Sequence, residues 1–479
     1  MLDKSPPNAW ARLQPWLSYG ALVGVSLILI WGLLSLGPQL EQGKLLGRLA
    51  VEHAGAASLL ESLQHPLALF FLQVLVIVTC SRIIGLLAQK LGQPFVMGEI
   101  LSGILLGPSL LGMLLPDVSA FLFPVKSLQP LQLLSQLGLI FFMFIIGLEL
   151  DQELLKKKTW SAVLISHVSI VFPCLLGVGL AVLLYRSFAP AQVSFLSFAL
   201  FMGISMSITA FPVLARIIQE RQLYHTHYGA MALTCAAIGD VTAWCLLALV
   251  VATVGAQSPL GALITIALSL AYILFMFLVL KPWMAHRLNA RIDADGRLPR
   301  DVVAGVLIFV LFSALATELI GIHALFGAFM AGAIMPLNPK FREVFIEQVE
   351  AISLLVLLPL FFTFTGLRTQ IGLLNQPGLW GIALLVIATA VVGKLGGTLL
   401  AGRMAQLGWV EACRIGILLN TRGLMELIVL NIGYDLGILS AEMFTILVLM
   451  ALVTTFMTGP ALSLVDRLEK GRGAGKVFS

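Results

Sequence analysis

Long apolar runs separated by short polar loops recur along the whole chain. They cover about 17–37, 66–90, 94–107, 131–149, 160–186, 192–219, 225–255, 259–286, 301–318, 321–336, 351–367, 379–405, 411–432 and 441–465. A helix that crosses a ~30 Å hydrocarbon core needs about 20 apolar residues. Most of these runs reach that length, while 94–107 and 321–336 are shorter and rich in glycine. The pattern predicts an all-α polytopic membrane protein with about 13 core spans and one extra N-terminal helix. The first run is long for a signal-peptide core, and no convincing small-residue cleavage site follows Leu36-Gly37-Pro38, so an uncleaved helix is expected there. Composition agrees: 59% of residues are apolar, only 11% are charged, and mean hydropathy is +1.00.

Loop charge gives the orientation. With the N-terminus in the cytoplasm, 22 of the 29 Lys and Arg fall on the cytoplasmic side and 5 on the other, with Lys394 and Arg422 inside spans. That is the positive-inside bias, and one miscounted span in mid-chain would scramble it. Both termini are therefore expected in the cytoplasm, in a bacterial inner membrane or an internal energy-transducing one. The net charge of +5 sits in short loops and does not point to nucleic acid. The five cysteines lie in apolar runs without metal-type spacing and read as buried thiols. No phosphate-cradling loop or nucleotide-binding unit is present, so no cofactor is expected.

The chain also repeats itself. Gly138-Leu-Ile-Phe-Phe-Met-Phe-Ile-Ile-Gly-Leu-Glu149 resembles Leu358-Pro-Leu-Phe-Phe-Thr-Phe-Thr-Gly-Leu-Arg368, and three further spans follow each copy. The first copy enters from outside and the second from inside, so the repeats are inverted. Transporters use that design, with the binding site at the midplane between the halves. The second span after each marker carries helix-breaking residues at its centre: Ser205-Met-Ser-Ile-Thr-Ala-Phe-Pro212 in one half, Asn420-Thr-Arg-Gly423 in the other. Pro212 removes a donor and clashes with the preceding turn, and Ser205, Ser207 and Thr209 can satisfy the freed groups. Two broken helices are expected, with Pro212 and Gly423 marking the breaks. Their ends would bring about half a unit charge each to the midplane, positive at N-termini and negative at C-termini.

Asp240 is the residue with the clearest chemical signal. It is alone in 228–255, a stretch with no other ionisable side chain except cysteines and Tyr228 at its edge. About twelve residues into such a helix it lies roughly 17 Å deep, near the bilayer centre. An acid there costs at least ~2.5–3.5 kcal/mol, so it usually lines a water-filled path or pairs with a buried base. Lys394 lies about nine residues, or ~13 Å, from Arg403 at the same side, so the two could meet as a neutral pair that an arriving cation breaks. Arg422 has Glu426 four residues later, the spacing that lets them neutralise one another on one helix face. Ser207, Thr209, Asn420 and Thr421 would offer oxygen atoms near Asp240. Glu99 reads as structural, and Glu318 with His323 as ordinary charge at an outer helix boundary. The residues therefore point to a transporter of cations or protons.

These features resemble the second monovalent cation:proton antiporter family, which includes bacterial Na⁺/H⁺ and K⁺/H⁺ antiporters and plant cation/H⁺ exchangers. The resemblance runs through roughly 66–465 and is carried by Gln93–Pro108, Phe141–Asp151 and Leu419–Asn431, the last being close to the plant branch. It implies an inverted-repeat fold with two crossed broken helices and elevator-like movement. It further implies core helices at about 131–255 and 351–465, and homodimerisation helices at about 66–107 and 259–336. Residues 1–65 would be an extra helix and loop, and 466–479 a short cytosolic tail where glutathione-gated potassium-efflux relatives carry a large domain. In family terms Asp240 binds the cation (Na⁺ or K⁺) and the proton in turn, and Lys394 is its basic partner. Members often carry Asp or Asn just before that aspartate, whereas this chain has Gly239. One carboxylate favours electroneutral 1:1 exchange. The alternatives are electrogenic exchange with Lys394 as a second proton carrier, or a gated K⁺ efflux channel. An intramembrane enzyme would need a carboxylate cluster or a Ser/His pair within the membrane, and the histidines are scattered at loops and helix ends.

Overall fold

The structure is a computed structural model and describes residues 65–149, 160–223, 226–255, 259–289, 299–336, 342, 345–346 and 353–475. The helix expected at 17–37 lies outside them. The described residues of the compact unit Pro66–Ser479 are helical throughout, with no strand. In chain order the helices are α1 Pro66–Lys90, α2 Phe95–Leu106, α3 Leu111–Leu114, α4 Pro116–Leu122, α5 Leu128–Glu149 and α6 Trp160–Phe188. Then follow α7 Phe195–Ser207, α8 Phe211–Glu220, α9 His227–Gly255, α10 Pro259–Phe275, α11 Lys281–Asn289 and α12 Arg300–Ile320. The second half contains α13 Ala324–Ala333, α14 Leu358–Arg368, α15 Leu379–Met404, α16 Trp409–Leu419, α17 Leu424–Asp435 and α18 Ala441–Gly475.

Eleven described helices are long and apolar enough to cross a membrane, and α16 with α17 makes a twelfth span bent by 47°. With the short α13, the 13 runs expected from residue 66 onward all take shape. The boundaries differ in physically sensible places. The run at 321–336 contracts to the ten residues of α13, which rise only ~15 Å. The segment 108–130, without a long apolar period, folds as the short α3 and α4 and a turn at Val125–Ser127. The tail expected from 466 instead continues α18 to Gly475. Of the cysteines only Cys235 is buried, and Cys245 is exposed on α9.

Packing sorts the helices into two bundles. In one, α6 lies along α15, α9 contacts α6, α8 and α16, and α18 closes on α15, α16 and α17. In the other, α5 packs on α13 and α14, α14 on α2, and α2 on α1. Helices α5 and α14 were grouped with the core helices in the expected division at 131–255 and 351–465; they pack instead with α2 and α13. The α6–α15 contact pairs matching helices of the two repeats and depends on small residues. A Cβ on Gly397 would lie 3.0 Å from Phe172 Cβ, and one on Gly393 3.1 Å from Pro173 Cα. That close approach carries the buried Lys394 toward the carbonyls of α6.

Candidate functional site

Two interrupted helices meet between α6, α9 and α15. The first stops at Ser207; Ile208 (φ −69°, ψ 138°) and Ala210 (φ −87°, ψ 93°) are extended, and the helix resumes at Phe211. Pro212 is therefore the second residue of the new helix, where its missing N–H costs nothing, rather than the break itself. The second interruption is Asn420–Gly423. Gly423 adopts φ +154° and ψ −128°, a conformation open to glycine. A Cβ there would also sit 2.9 Å from Val213 Cγ2. The two breaks are bonded to each other: Ala210 N–H donates to Thr421 O at 3.0 Å, and Thr209 Oγ1 to Leu419 O at 2.8 Å.

Each helix end at this crossing faces a matching charge or donor. The C-terminus of α7 takes both buried cations. Lys394 Nζ donates to Ser207 O at 2.5 Å, Thr209 Oγ1 at 2.8 Å and Ser169 O at 2.9 Å. Arg422 donates to Ser205 O at 2.6 Å and Met206 O at 2.5 Å. The N-terminus of α17 carries Glu426 in its first turn, paired to Arg422 at 3.0 Å with both side chains fully buried. The last free N-terminus, that of α8, lies near Asp240, with the Phe211 N–H closing no hydrogen bond to the carboxyl. This is the arrangement that helix dipoles favour, anions at N-termini and cations at C-termini.

Asp240 is the fourteenth of the 29 residues of α9 and 3% exposed. Neither of its carboxyl oxygens has a hydrogen-bond partner among the described residues. Lys394 lies within electrostatic range but forms no ion pair with it; its three protons go to the oxygens named above. The expected Asp240–Lys394 pair is thus replaced by a lysine that caps α7. Equal depth along two helices gave the same height, and height alone could not give direction. The hydroxyls of the breaks are also engaged elsewhere. Ser207 Oγ donates to Ile170 O and Gly203 O, and Thr421 Oγ1 lies 3.4 Å from Thr458 Oγ1. Asn420 Oδ1 is buried without a donor. Glu99, the other acid singled out, is buried in α2 of the second bundle, near Arg82 and Arg216.

A cavity of about 570 Å³ approaches the crossing from the side of Arg216, Gln219 and Arg342, the side that the charge bias assigns to the cytoplasm. Its wall includes Phe211, Pro212 and Leu424, the starts of α8 and α17. Asp240 lines a separate small pocket, with Ile208, Ala243, Trp244, Leu247, Met425 and Val429. At the other end the two bundles are tied together. Arg368 of α14 binds Asp435 at 2.8 Å and Asn431 Oδ1 at 3.1 Å on α17, and Asn431 Nδ2 donates to Thr365 Oγ1 at 2.8 Å. In the sequence Arg368 and Asn431 stand out only as the ends of a repeat marker and of a family motif, with no sign that they meet.

The profile of the transmembrane sodium/hydrogen exchanger family matches residues 75–465. The chain belongs to the sodium/hydrogen exchanger family. It is 42% identical to the Na⁺/H⁺ antiporter NhaS4 of Synechocystis over 83% of this chain and 97% of that one. It is 42% identical to cation/H⁺ antiporter 17 of Arabidopsis thaliana over 83% of this chain and 48% of that protein. It is 34% identical to K⁺/H⁺ antiporter 1 of Saccharomyces cerevisiae over 84% of this chain and 46% of that one. The chain thus spans about half the length of the plant and yeast relatives. Among solved structures, the sodium proton antiporter MjNhaP1 of Methanocaldococcus jannaschii superposes with a TM-score of 0.62 at 16% identity, covering 84% of this chain and 99% of that one. That likeness supports the inverted-repeat antiporter fold of this exchanger-family member, a multi-pass membrane protein.

Proposed function

We propose that the protein exchanges a monovalent cation, Na⁺ or K⁺, for a proton, with Asp240 as the single group that holds each in turn. The observation that carries this reading is the contrast among the buried charges at the crossing. Lys394, Arg422 and Glu426 are each bound to named partners, and only Asp240 has both oxygens free. A fully buried carboxyl with no partner is costly unless it is neutralised by a proton or a cation. Alternation between those two is what exchange requires.

Lys394 acts as a fixed charge. Its three acceptors match the three N–H donors of an ammonium, which supports a scheme of one cation for one proton. Oxygens of the breaks complete the cation's shell as the crossing shifts: Asn420 Oδ1, with Thr209, Ser207 and Thr421 as they change partners. The large cavity on the Arg216 side supports an inward-facing conformation, with access switching as the bundle of α6–α9 and α15–α18 slides along the other. Elevator movement of this type places the homodimer contact on the stationary bundle. The loop-charge bias supports a cytoplasmic location for both termini.

The test is exchange in proteoliposomes carrying the Asp240→Asn protein, with Na⁺ and K⁺ assayed separately against an imposed pH gradient. The expected outcome is a folded protein with no cation-dependent proton flux for either ion. Flux retained in the purified variant would show that the carboxylate is elsewhere.

A further inference from the structure

At the end remote from the large cavity, the two bundles are joined by directional bonds rather than by apolar packing alone. Arg368 closes α14, and its side chain is only 17% exposed. Its Nη1 donates to Asp435 Oδ1 at 2.8 Å and to Asn431 Oδ1 at 3.1 Å, both on α17. Its guanidinium carbon lies over the Phe364 ring of its own helix at 4.3 Å, and 5.3 Å from the Tyr434 centroid on α17. Asn431 is 7% exposed and bonds in both directions: its Nδ2 donates to Thr365 Oγ1 at 2.8 Å and to Leu427 O at 2.9 Å. Two residues beyond Arg368, Gln370 N–H donates to Thr445 Oγ1 of α18 at 3.1 Å. None of these groups takes part in the crossing of the broken helices.

The space enclosed at this end is about 30 Å³, against about 570 Å³ on the Arg216 side. Its wall is drawn from both bundles, with Gln136 and Leu139 of α5 facing Ile428, Asn431 and Asp435 of α17. That volume holds about one or two waters, so this face is closed to a hydrated ion. Apolar side chains such as Leu139 and Ile428 can slide past one another, because their burial has no preferred direction. Hydrogen bonds depend on distance and angle, and a shift of a few ångströms between α14 and α17 breaks them.

We propose that Arg368, Thr365, Asn431 and Asp435 form the outer gate of the exchanger: their bonds hold the inward-open position of the bundles and part when the site turns to the opposite face. The inference rests on the relative movement of the two bundles, not on which group binds the ion. A bond made in only one of two conformations shifts their ratio by its own free energy and no more. Asp435 is 39% exposed, so the ion pair itself is modest. The charged bond to the buried Asn431 carries the larger part.

The experiment reads the gate directly. Leu139, 4% exposed on the wall of the closed space, is changed by Leu139→Cys in a protein whose native cysteines other than Cys235 are Ser. The initial rate of maleimide modification is measured in detergent, where both faces are accessible to the reagent. Cys235, 1% exposed inside the α6–α9 bundle, reports unfolding. Arg368→Gln and Asp435→Asn are each expected to raise the rate at position 139 about 3- to 10-fold and to leave Cys235 unreactive. Unchanged rates at position 139 would overturn the proposal. So would Cys235 reacting in step with position 139, because the bonds would then hold the fold rather than the gate. A separate arm tests the movement itself. Thr365→Cys and Asn431→Cys, combined in a protein without other cysteines, replace the 2.8 Å contact by a pair that oxidation can join. Exchange in proteoliposomes should stop on oxidation and return on reduction. If the oxidised protein still exchanges, the bundle movement falls and the gate with it. If exchange stops while the rates at position 139 stay at the parent value, only the gate falls.

Discussion

Glu426 and Arg422 form a fully buried pair at 3.0 Å, and removing either partner tests whether they are structural or part of the transport cycle. Arg422→Met deletes the donors to Ser205 O, Met206 O and Glu426. It leaves a buried carboxylate whose other oxygen, Oε1, already has no partner. Breaking a buried pair from one side costs about 3–5 kcal/mol. Glu426→Gln is milder, because Arg422 keeps both carbonyl acceptors and an amide oxygen can still receive its N–H; about 1–3 kcal/mol is expected for the weakened, now neutral contact. The double variant carries no uncompensated acid. It should recover about 0.5–3 kcal/mol relative to the sum of the singles. Thermal inactivation of the detergent-solubilised proteins gives the order: wild type, then Glu426→Gln, then the double variant, with Arg422→Met the least stable. Glu426→Gln should still exchange cations for protons. A double variant less stable than Arg422→Met would refute the pairing argument, and loss of exchange in a well-folded Glu426→Gln protein would make that acid part of the cycle.

Gly423→Ala should cost about 1–3 kcal/mol in backbone strain alone, with a further penalty from the 2.9 Å approach to Val213. Adding Val213→Ala should restore only the second part of the lost thermal stability, so full recovery would show that the backbone conformation is not the constraint. At Gly239 a Cβ meets only ordinary contacts, Ile170 Cδ1 and Ser166 Oγ at 3.8 Å, so Gly239→Ala should fold and exchange as the parent does. Gly239→Asp places a second carboxyl beside the first and should make the exchange rate respond to membrane potential in voltage-clamped liposomes. A voltage-insensitive Gly239→Asp protein would show that carboxylate number does not set the stoichiometry here.

Much of this architecture was legible because lipid is an unforgiving solvent. Backbone groups in hydrocarbon must bond within helices, so the apolar runs had to become helices, and Pro212 and Asn420–Gly423 had to mark exceptions. Asp240 was visible as a lone acid, and the Arg422–Glu426 pair as a four-residue spacing. Three-dimensional direction was not legible. Lys394 and Asp240 share a depth, yet Lys394 turns to the carbonyls of Ser169 and Ser207. Nothing local in α5 or α14 says that they pack on α13 and α2. The tie from Arg368 to Asn431 and Asp435 joins helices more than sixty residues apart.

The central claim is that one carboxylate carries either a cation or a proton, with Lys394 a fixed charge. It is tested most directly by the cation gradient at which net flux stops, measured in liposomes with a fixed pH difference and the membrane potential clamped at several values. For one-for-one exchange that gradient equals the proton gradient at every potential. A balance point that moves systematically with voltage would mean a second proton per cycle and would contradict the claim.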